Sequence, residues 1–247
     1  MALRDELERS GNWLFRWRSY LPLLLIGIVV YSLKDYEYLG GSHRIDSVWE
    51  IICLSVSCIG LAIRVITVGH VRDGTSGRIT RRQEAKRLNT DGIYSLVRHP
   101  LYLGNFFLWL GISLFPHQWW LTLLFCLIFF SYYERIMFAE EAFLRKKFGD
   151  EFEEWARRTP LLIPDFRNWR KPVLPFSLRT VLKREYSTVF ALVCSFTFLE
   201  VVGDIFVEKK LELDWSWAAL FSMSLVAYLT LRTLKKKSHI LTAKDRS

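Results

Sequence analysis

The residues best suited to chemistry stand where a basic stretch of the chain meets an apolar one. Arg98 and His99 precede Pro100, and Tyr102 follows it. Proline suits the first position of a helix, where its missing N–H costs nothing, so we predict a helix from Pro100 with His99 as its N-cap. The free N–H groups of a helix start attract an anion, and Arg98 and Tyr102 lie one helical turn apart. We call the segment from Arg98 to Tyr102 the corner and predict that it binds an acidic group. Alternatively, it only marks a membrane surface.

A second group of charged residues follows downstream. Glu140 and Glu141 are adjacent, and Glu134 and Glu141 share a face if their helix is unbroken. Apolar residues then recur at helical spacing between charges: Phe143, Leu144, Phe148, Phe152 and Trp155. This pattern predicts an amphipathic helix along the cytoplasmic membrane interface. Arg157 and Arg158 end it with charges that the helix dipole favours.

Membrane spans are the elements that must hold these residues. The chain of 247 residues is 51% hydrophobic, yet it carries 34 Lys and Arg against 25 Asp and Glu. A bilayer core needs roughly 20 mostly apolar residues per helix. We predict an all-α, polytopic membrane bundle with about six spans: Tyr20–Leu33, Val48–Val71, Leu101–Phe115, Trp119–Phe138, Ser187–Phe206 and Trp215–Leu231. The span Leu101–Phe115 is short, so it either crosses with a tilt or forms half of a re-entrant hairpin.

Lys and Arg concentrate in alternate connections. Seven basic residues lie in Arg72–Arg98, eleven in Ala139–Tyr186 and six from Arg232 onward, whereas Lys34–Ser47 and Val207–Asp214 hold two each. The positive-inside rule puts the basic segments in the cytoplasm. Both termini and the corner are therefore expected to face the cytoplasm, and no cleaved signal peptide is expected.

Two arginines lie within predicted spans, Arg64 and Arg135. A charge at membrane depth costs several kcal/mol unless it is paired or faces a polar cavity. We interpret both as substrate-binding residues or members of buried pairs; the alternative is that they snorkel from the end of a span. Glu200 and Asp204, on one face of the fifth span, are interpreted as interfacial.

Several kinds of site are not expected. The four cysteines lie in apolar stretches, with neither a CxxC pair nor a Cys/His cluster, so neither a disulfide framework nor a metal site is predicted. The glycines of Gly74–Gly77 follow a span and not a strand, which excludes the fingerprint of a Rossmann-like cofactor domain. No nucleic-acid partner is expected.

A longer pattern surrounds the corner. The stretch Gly92–Gly104, followed by Glu140-Glu141, Phe148-Gly149 and Arg158-Thr159-Pro160, resembles the isoprenylcysteine carboxyl methyltransferase and phospholipid methyltransferase superfamily. The resemblance covers roughly residues 50–164. It implies a helical membrane enzyme that takes S-adenosylmethionine from the cytoplasm and a lipid substrate from the bilayer.

The resemblance also implies roles for single residues. It places six in the cofactor site: Tyr94, His99, Tyr102, Leu103, Gly104 and Glu140. Arg98 and Arg158 match the arginines that hold the acidic group of the substrate in the prenylcysteine branch, and Glu141 is a further catalytic candidate. We expect a methyltransferase core over residues 1–164 and a C-terminal unit over 165–247, consisting of a linker and two additional spans.

Four functions remain open from the residues alone. An amine acceptor must lose a proton and gains little from arginine, whereas a carboxylate or phosphate is best held by guanidinium groups. Arg98 and Arg158 therefore favour an anionic lipid. The loop 69–87 adds more charge than one carboxylate requires: Arg72, Arg78, Arg81, Arg82, Lys86 and Arg87. We predict a lipid phosphate, as in a branch resembling lipid A phosphate methyltransferases. The alternatives are a prenylcysteine carboxylate, then phosphatidylethanolamine, then a non-catalytic transporter or scaffold.

Overall fold

Helices dominate the described parts of the chain. The computed structural model describes residues 3–18, 20–72, 85–210, 214–238 and 240–241. The helices are α1 (Leu3–Trp17), α2 (Leu21–Ser32), α3 (His43–His70), α4 (Pro100–Leu114), α5 (Trp119–Phe148), α6 (Asp150–Arg158), α7 (Leu178–Glu208) and α8 (Trp215–Lys237). Among these residues there is no strand, only an isolated bridge between Gly92 and Arg170. The predicted all-α class is confirmed.

Within the part of the chain that the structure describes, four helices are long and apolar enough to cross a membrane, namely α3, α5, α7 and α8. The chain is therefore a multi-pass membrane protein. Helix α2 has 12 residues and α4 has 15, which correspond to about 18 and 22 Å at 1.5 Å per residue. Both are shorter than a bilayer core of about 30 Å. The predicted count of six spans is not confirmed.

The segment after the fourth predicted span differs from the expectation. Helix α5 continues beyond Phe138 to Phe148, and Gly149, with a φ of 53°, turns the chain into the nine-residue α6. The predicted amphipathic helix is therefore divided at Gly149: its first half is the end of α5, and its second half is α6. Basic residues favour the C-terminal end of a helix dipole, so the run Arg145–Lys147 extends α5 instead of ending it.

Small residues let α3 and α4 pack closely. A Cβ added to Gly60 would lie 2.4 Å from the carbonyl oxygen of Gly104, and one added to Gly111 would lie 2.2 Å from Oγ of Ser57. Such contacts need backbones without side chains between them, as is typical of helices packed in membranes. The start of α4 is thereby held firmly against α3.

Helices α3 and α7 run antiparallel and meet at both ends. Arg64 contacts Glu185 at one end, and Glu50 contacts Glu200 at the other. Helix α4 begins at the end that contains Arg64. We call this the site end, and the end that contains Glu50 and Glu200 the acidic end.

Candidate active site

The start of α4 brings a histidine and an arginine onto one carboxylate. Helix α4 begins at Pro100 with His99 as N-cap, as predicted, but the imidazole does not cap the helix. Its Nε2 lies 3.1 Å from Oε1 of Glu141 instead. Nη1 of Arg98 donates to both oxygens of Glu141 at 2.8 Å. Because α5 continues to Phe148, it delivers Glu141 to this corner.

Glu140 forms the neighbouring half of the site. The Tyr102 hydroxyl donates to Oε2 of Glu140 at 2.8 Å, and Nδ1 of His99 lies 3.8 Å from the same oxygen. The rings of His99 and Tyr102 stack with centroids 5.5 Å apart. Burial and the Glu140 carboxylate raise the pKa of Tyr94, which places this tyrosine near the same acid. The Glu140 side chain is 32% exposed, so it remains accessible to a cation.

Backbone hydrogen bonds fix the segment that precedes α4. The N–H of Arg98 donates to the carbonyl of Pro160 at 2.9 Å, and the N–H of Asp165 donates to the carbonyl of Leu96 at 3.0 Å. The indole of Trp155 donates to the carbonyl of Tyr94 at 3.1 Å. We call these three contacts the clasp. It brings the motif around Arg98 next to the distant Arg158-Thr159-Pro160.

A second clamp on the same segment requires a glycine. The N–H of Gly92 donates to the carbonyl of Arg170 at 3.0 Å, and Gly92 has a φ of 56°. This left-handed conformation favours glycine. A Cβ at this position would also lie 3.1 Å from the ring of Pro172.

An arginine-rich groove opens beside Arg98. Its volume is about 580 Å³, and Arg157, Arg158 and Arg167 also line it. Arg158 is exposed and pairs with Glu154, while Asp165 pairs with Arg167 at 2.9 Å. The Nε of Arg98 is buried and has no hydrogen-bond partner. A buried donor without a partner is costly, so this guanidinium offers a free N–H to an anionic ligand.

Other predicted site residues have different surroundings. Arg135 is exposed and its Nη1 lies 3.4 Å from Oγ of Ser10 in α1, so it contacts the N-terminal helix and not the groove. Gly104 packs against α3: a Cβ there would lie 2.6 Å from Cγ of Arg64. Leu103 is half-buried, and its N–H donates to the carbonyl of His99. Arg135 and Gly104 thus contact other helices, and their roles in substrate and cofactor binding stay predictions.

Arg64 was predicted either to bind substrate or to belong to a buried ion pair, and in the structure it forms such a pair. Its Nε and Nη2 each donate to the Glu185 carboxylate at 2.9 Å. Sequence reasoning missed Glu185, because an acid beside Lys183 and Arg184 resembles an ordinary interfacial residue. The signal that could have found it was Arg64 itself, since a charge at membrane depth requires a partner.

The acidic end gathers ionisable residues of a different kind. Asp46, Glu50, Glu200 and Asp204 are all buried there. Ligand atoms of His43, Glu200 and Asp214 lie within 4.8 Å of one another, a grouping that could hold a cation. The expected absence of a metal therefore stays a prediction. Three arginines on which the phosphate hypothesis relied, Arg78, Arg81 and Arg82, lie outside the described residues.

Comparison with known proteins identifies a family and several relatives, some of which are named methyltransferases. The phospholipid methyltransferase family model matches residues 48–151. A protein-S-isoprenylcysteine O-methyltransferase of Schizosaccharomyces pombe is 34% identical over 162 residues, which cover 63% of this chain and 67% of the relative. Protein-S-isoprenylcysteine O-methyltransferase B of Arabidopsis thaliana is 34% identical over 154 residues, covering 60% and 74%. The cobalt-zinc-cadmium resistance protein CzcN of Cupriavidus metallidurans is 32% identical over 162 residues, covering 64% and 69%. No solved structure matches the chain significantly.

Proposed function

The chain belongs to the isoprenylcysteine carboxyl methyltransferase and phospholipid methyltransferase family, and on this premise we propose that it methylates a carboxylate oxygen of a membrane-borne lipidated substrate. The methyl donor is S-adenosylmethionine. The acceptor binds in the groove at the site end. The observation that carries the proposal is the free, buried Nε of Arg98 at the edge of this groove.

The arginines of the groove suit an acidic acceptor. Arg98 is anchored by Glu141 through Nη1 alone, so Nε can donate to a carboxylate oxygen without breaking that pair. Arg158 is exposed on the same groove, and its pairing with Glu154 is screened by water. An incoming carboxylate therefore meets one fixed guanidinium and one that reorients at little cost.

The residues around Glu140 fit a cationic, aromatic cofactor. S-adenosylmethionine supplies an activated methyl group on a sulfonium, and it also carries an amino group and an adenine ring. Glu140 is partly exposed and contacts Tyr102 and His99. Its carboxylate suits the positive charge, and the rings of Tyr94, His99 and Tyr102 suit stacking.

Methylation of a carboxylate makes modest demands on the protein. The acceptor is already anionic at neutral pH, so no residue needs to remove a proton. The described residues have to hold the carboxylate in line with the methyl group and to exclude water. Arg98 orients the acceptor, Glu141 orients Arg98 and His99, and the clasp keeps Arg98 and Arg158 on a common wall.

A carboxylate is favoured over the lipid phosphate that we expected from the sequence. The phosphate hypothesis relied on the basic loop 69–87, most of which lies outside the described residues. Two of the relatives are named isoprenylcysteine O-methyltransferases, which implies an oxygen acceptor on a prenylated cysteine. We propose the same class of acceptor here. We also propose that the groove and both termini face the cytoplasm, because the flanking loops are the basic ones.

Methyl transfer from radiolabelled cofactor to a panel of lipids tests the proposal. The panel contains a prenylated cysteine, a phosphorylated lipid and an ethanolamine lipid. We expect base-labile methyl ester on the prenylated cysteine. Product on the amine alone would overturn the anionic acceptor, and product on the phosphate alone would restore our first expectation. If calorimetry shows no binding of S-adenosylhomocysteine, the assignment of the cofactor fails.

A further inference from the structure

A buried ion pair connects α7 to the helices of the candidate site. The Glu185 carboxylate accepts from Nε and Nη2 of Arg64 at 2.9 Å each. The two side chains are only 4% and 16% exposed, respectively. A buried pair of this kind is costly to desolvate unless further hydrogen bonds satisfy both partners. The third guanidinium nitrogen of Arg64 provides such a bond.

Hydrogen bonds continue from this ion pair through Asn105 to the hydroxyl of Tyr133. Nη1 of Arg64 donates to Oδ1 of Asn105 at 2.5 Å. Because the amide oxygen faces the arginine, the amide nitrogen faces away, and it donates to the Tyr133 hydroxyl at 3.2 Å. Each bond therefore sets the orientation of the next group. Reversing the Asn105 amide would place two donors against each other.

The chain of contacts ends at the residues proposed to bind the cofactor. The ring of Tyr133 lies against that of Tyr102, with centroids 4.8 Å apart. Tyr102 in turn donates to Glu140 at 2.8 Å. An uninterrupted series of contacts thus runs from Glu185 in α7 to Glu140 in α5. We call it the relay.

We propose that Glu185 is a positioning residue for methyl transfer, which fixes Arg64 and, through the relay, the placement of Tyr102 and Glu140. The inference rests on the proposed function and deepens it. Helix α7 lies outside residues 48–151, which the family model matches. The working unit therefore extends at least to Glu185, and α7 is part of the enzyme's mechanism.

Two variants on the same helix test the proposal in the full-length protein reconstituted in lipid nanodiscs. Glu185→Gln keeps the shape but removes the charge that holds Arg64. Glu200→Gln is the matched control, because Glu200 is equally buried, at 3% exposed, at the acidic end of α7. We expect Glu185→Gln to lower kcat about tenfold, as misplaced reacting groups do, and to weaken S-adenosylhomocysteine binding. Glu200→Gln should leave both within twofold of the unmodified protein.

A spectroscopic readout separates positioning from folding. The protein is labelled with 3-fluorotyrosine, and the ¹⁹F signals of Tyr102 and Tyr133 are assigned with the variants Tyr102→Phe and Tyr133→Phe. We expect both signals to shift in Glu185→Gln and neither to shift in Glu200→Gln. If Glu185→Gln does not fold, Glu185→Asp replaces it, since this variant keeps the charge on a shorter arm and should give a smaller change in the same direction.

The possible outcomes distinguish this inference from the proposed function. Unchanged kcat and unchanged signals in Glu185→Gln would overturn the positioning role, even if the unmodified protein is active. An equal loss of kcat in Glu200→Gln would also overturn it, because the effect would then be one of general stability. If the signals shift but the unmodified protein neither binds the cofactor analogue nor transfers a methyl group, the relay stands and the proposed function fails.

Discussion

The two ends of the helix bundle both bury ionisable side chains, but they neutralise them differently. At the site end, Glu185 and Glu141 are each held by an arginine at under 3 Å. At the acidic end, Asp46 and Asp204 each accept a hydrogen bond from a tyrosine hydroxyl. Of the two, only Asp46 has an ion-pair partner among the described residues, and that partner is His117.

The comparison shows that a high density of buried charge does not by itself locate a binding site. What distinguishes the site end is an open groove next to a buried guanidinium with a free N–H. At the acidic end, aromatic rings cover the acids: Tyr36 stacks on Phe115 and on His117 with centroids 6.0 and 5.4 Å apart. The acidic end is therefore expected to contribute to stability, and the site end to activity.

Replacing Arg98 should have the largest effect on activity, and it tests whether the site end is the end that matters for methyl transfer. Arg98→Ala removes the cation that meets the acceptor and leaves Glu141 without its arginine, so methyl transfer should fall by about 100-fold, the range seen when one charged or hydrogen-bonding group at a reacting centre is lost. Arg98→Lys is the matched control. It keeps the charge but not the forked geometry, and it should retain part of the activity. Activity of Arg98→Ala within threefold of the unmodified protein would contradict the assignment of the groove.

The same substitution, glycine to alanine, can be made at one position at each end of the bundle, and its effects on stability and activity can be compared. Gly104→Ala at the site end puts a Cβ 2.6 Å from Cγ of Arg64, and Gly203→Ala at the acidic end puts one 2.8 Å from the Tyr36 ring. Both should lower the free energy of unfolding by about 1–3 kcal/mol through overpacking, as measured by thermal or denaturant unfolding in detergent. Only Gly104→Ala should also lower kcat, because it displaces Arg64 from the relay. Equal losses of kcat would remove the distinction between the ends.

Arg158→Ala should have a smaller effect than Arg98→Ala, and it should weaken binding of the lipid substrate but not of the cofactor. Arg158 is exposed, so its loss should raise KM for the lipid about tenfold, at the upper end of what a screened charge contributes. Affinity for S-adenosylhomocysteine should not change. Arg145→Ala is the control, since Arg145 pairs with Glu153 and does not line the groove. An equal loss of substrate and cofactor affinity would place Arg158 in the cofactor site instead.

The smallest expected effect is a pH dependence at the acidic end. Burial lowers the pKa of His117, although the nearby Asp46 carboxylate opposes this. The folded protein thus binds this proton less readily than the unfolded chain, whose histidine pKa is about 6.5. The contribution of His117 to stability should be complete above that value and should fall, as the pH drops towards the lowered pKa, by at most about 1.4 kcal/mol per pH unit.

A single substitution isolates the histidine. His117 has a φ of 59°, a conformation that asparagine tolerates, so His117→Asn should remove most of this dependence without straining the turn. Unfolding temperatures recorded between pH 5 and pH 8 measure the effect. If the variant keeps the full pH dependence, other groups at the acidic end are responsible.

Sequence reasoning was most successful where the pattern is local. Pro100 predicts the start of α4, and the resemblance to a known family brought Arg98, His99, Tyr102 and Glu140 into one hypothesis. The structure places these side chains together. Helix α1 was not predicted, because its packing depends on Gly11 meeting the backbone of Arg135 far along the chain.

Long-range partners were beyond the reach of the sequence. Arg64 required an acid, but nothing in the chain indicates that α7 would run antiparallel to α3 and bring Glu185 to the same depth. The length of α5 was also underestimated. The charged run that suggested the end of a span is compatible with a helix that continues out of the bilayer, since Lys and Arg stabilise its C-terminal end.

The clasp has a consequence for how this enzyme changes over evolutionary time. Two of its three hydrogen bonds join backbone groups of Leu96 and Arg98 to Pro160 and Asp165, and such bonds form whatever the side chains are. Apolar positions of the groove, such as Ile163, are therefore open to substitution while Arg98 and Arg158 stay on the same wall. Under the proposed function, substitutions at these positions would change which lipid tail the groove accepts and would leave both arginines facing the acidic head group.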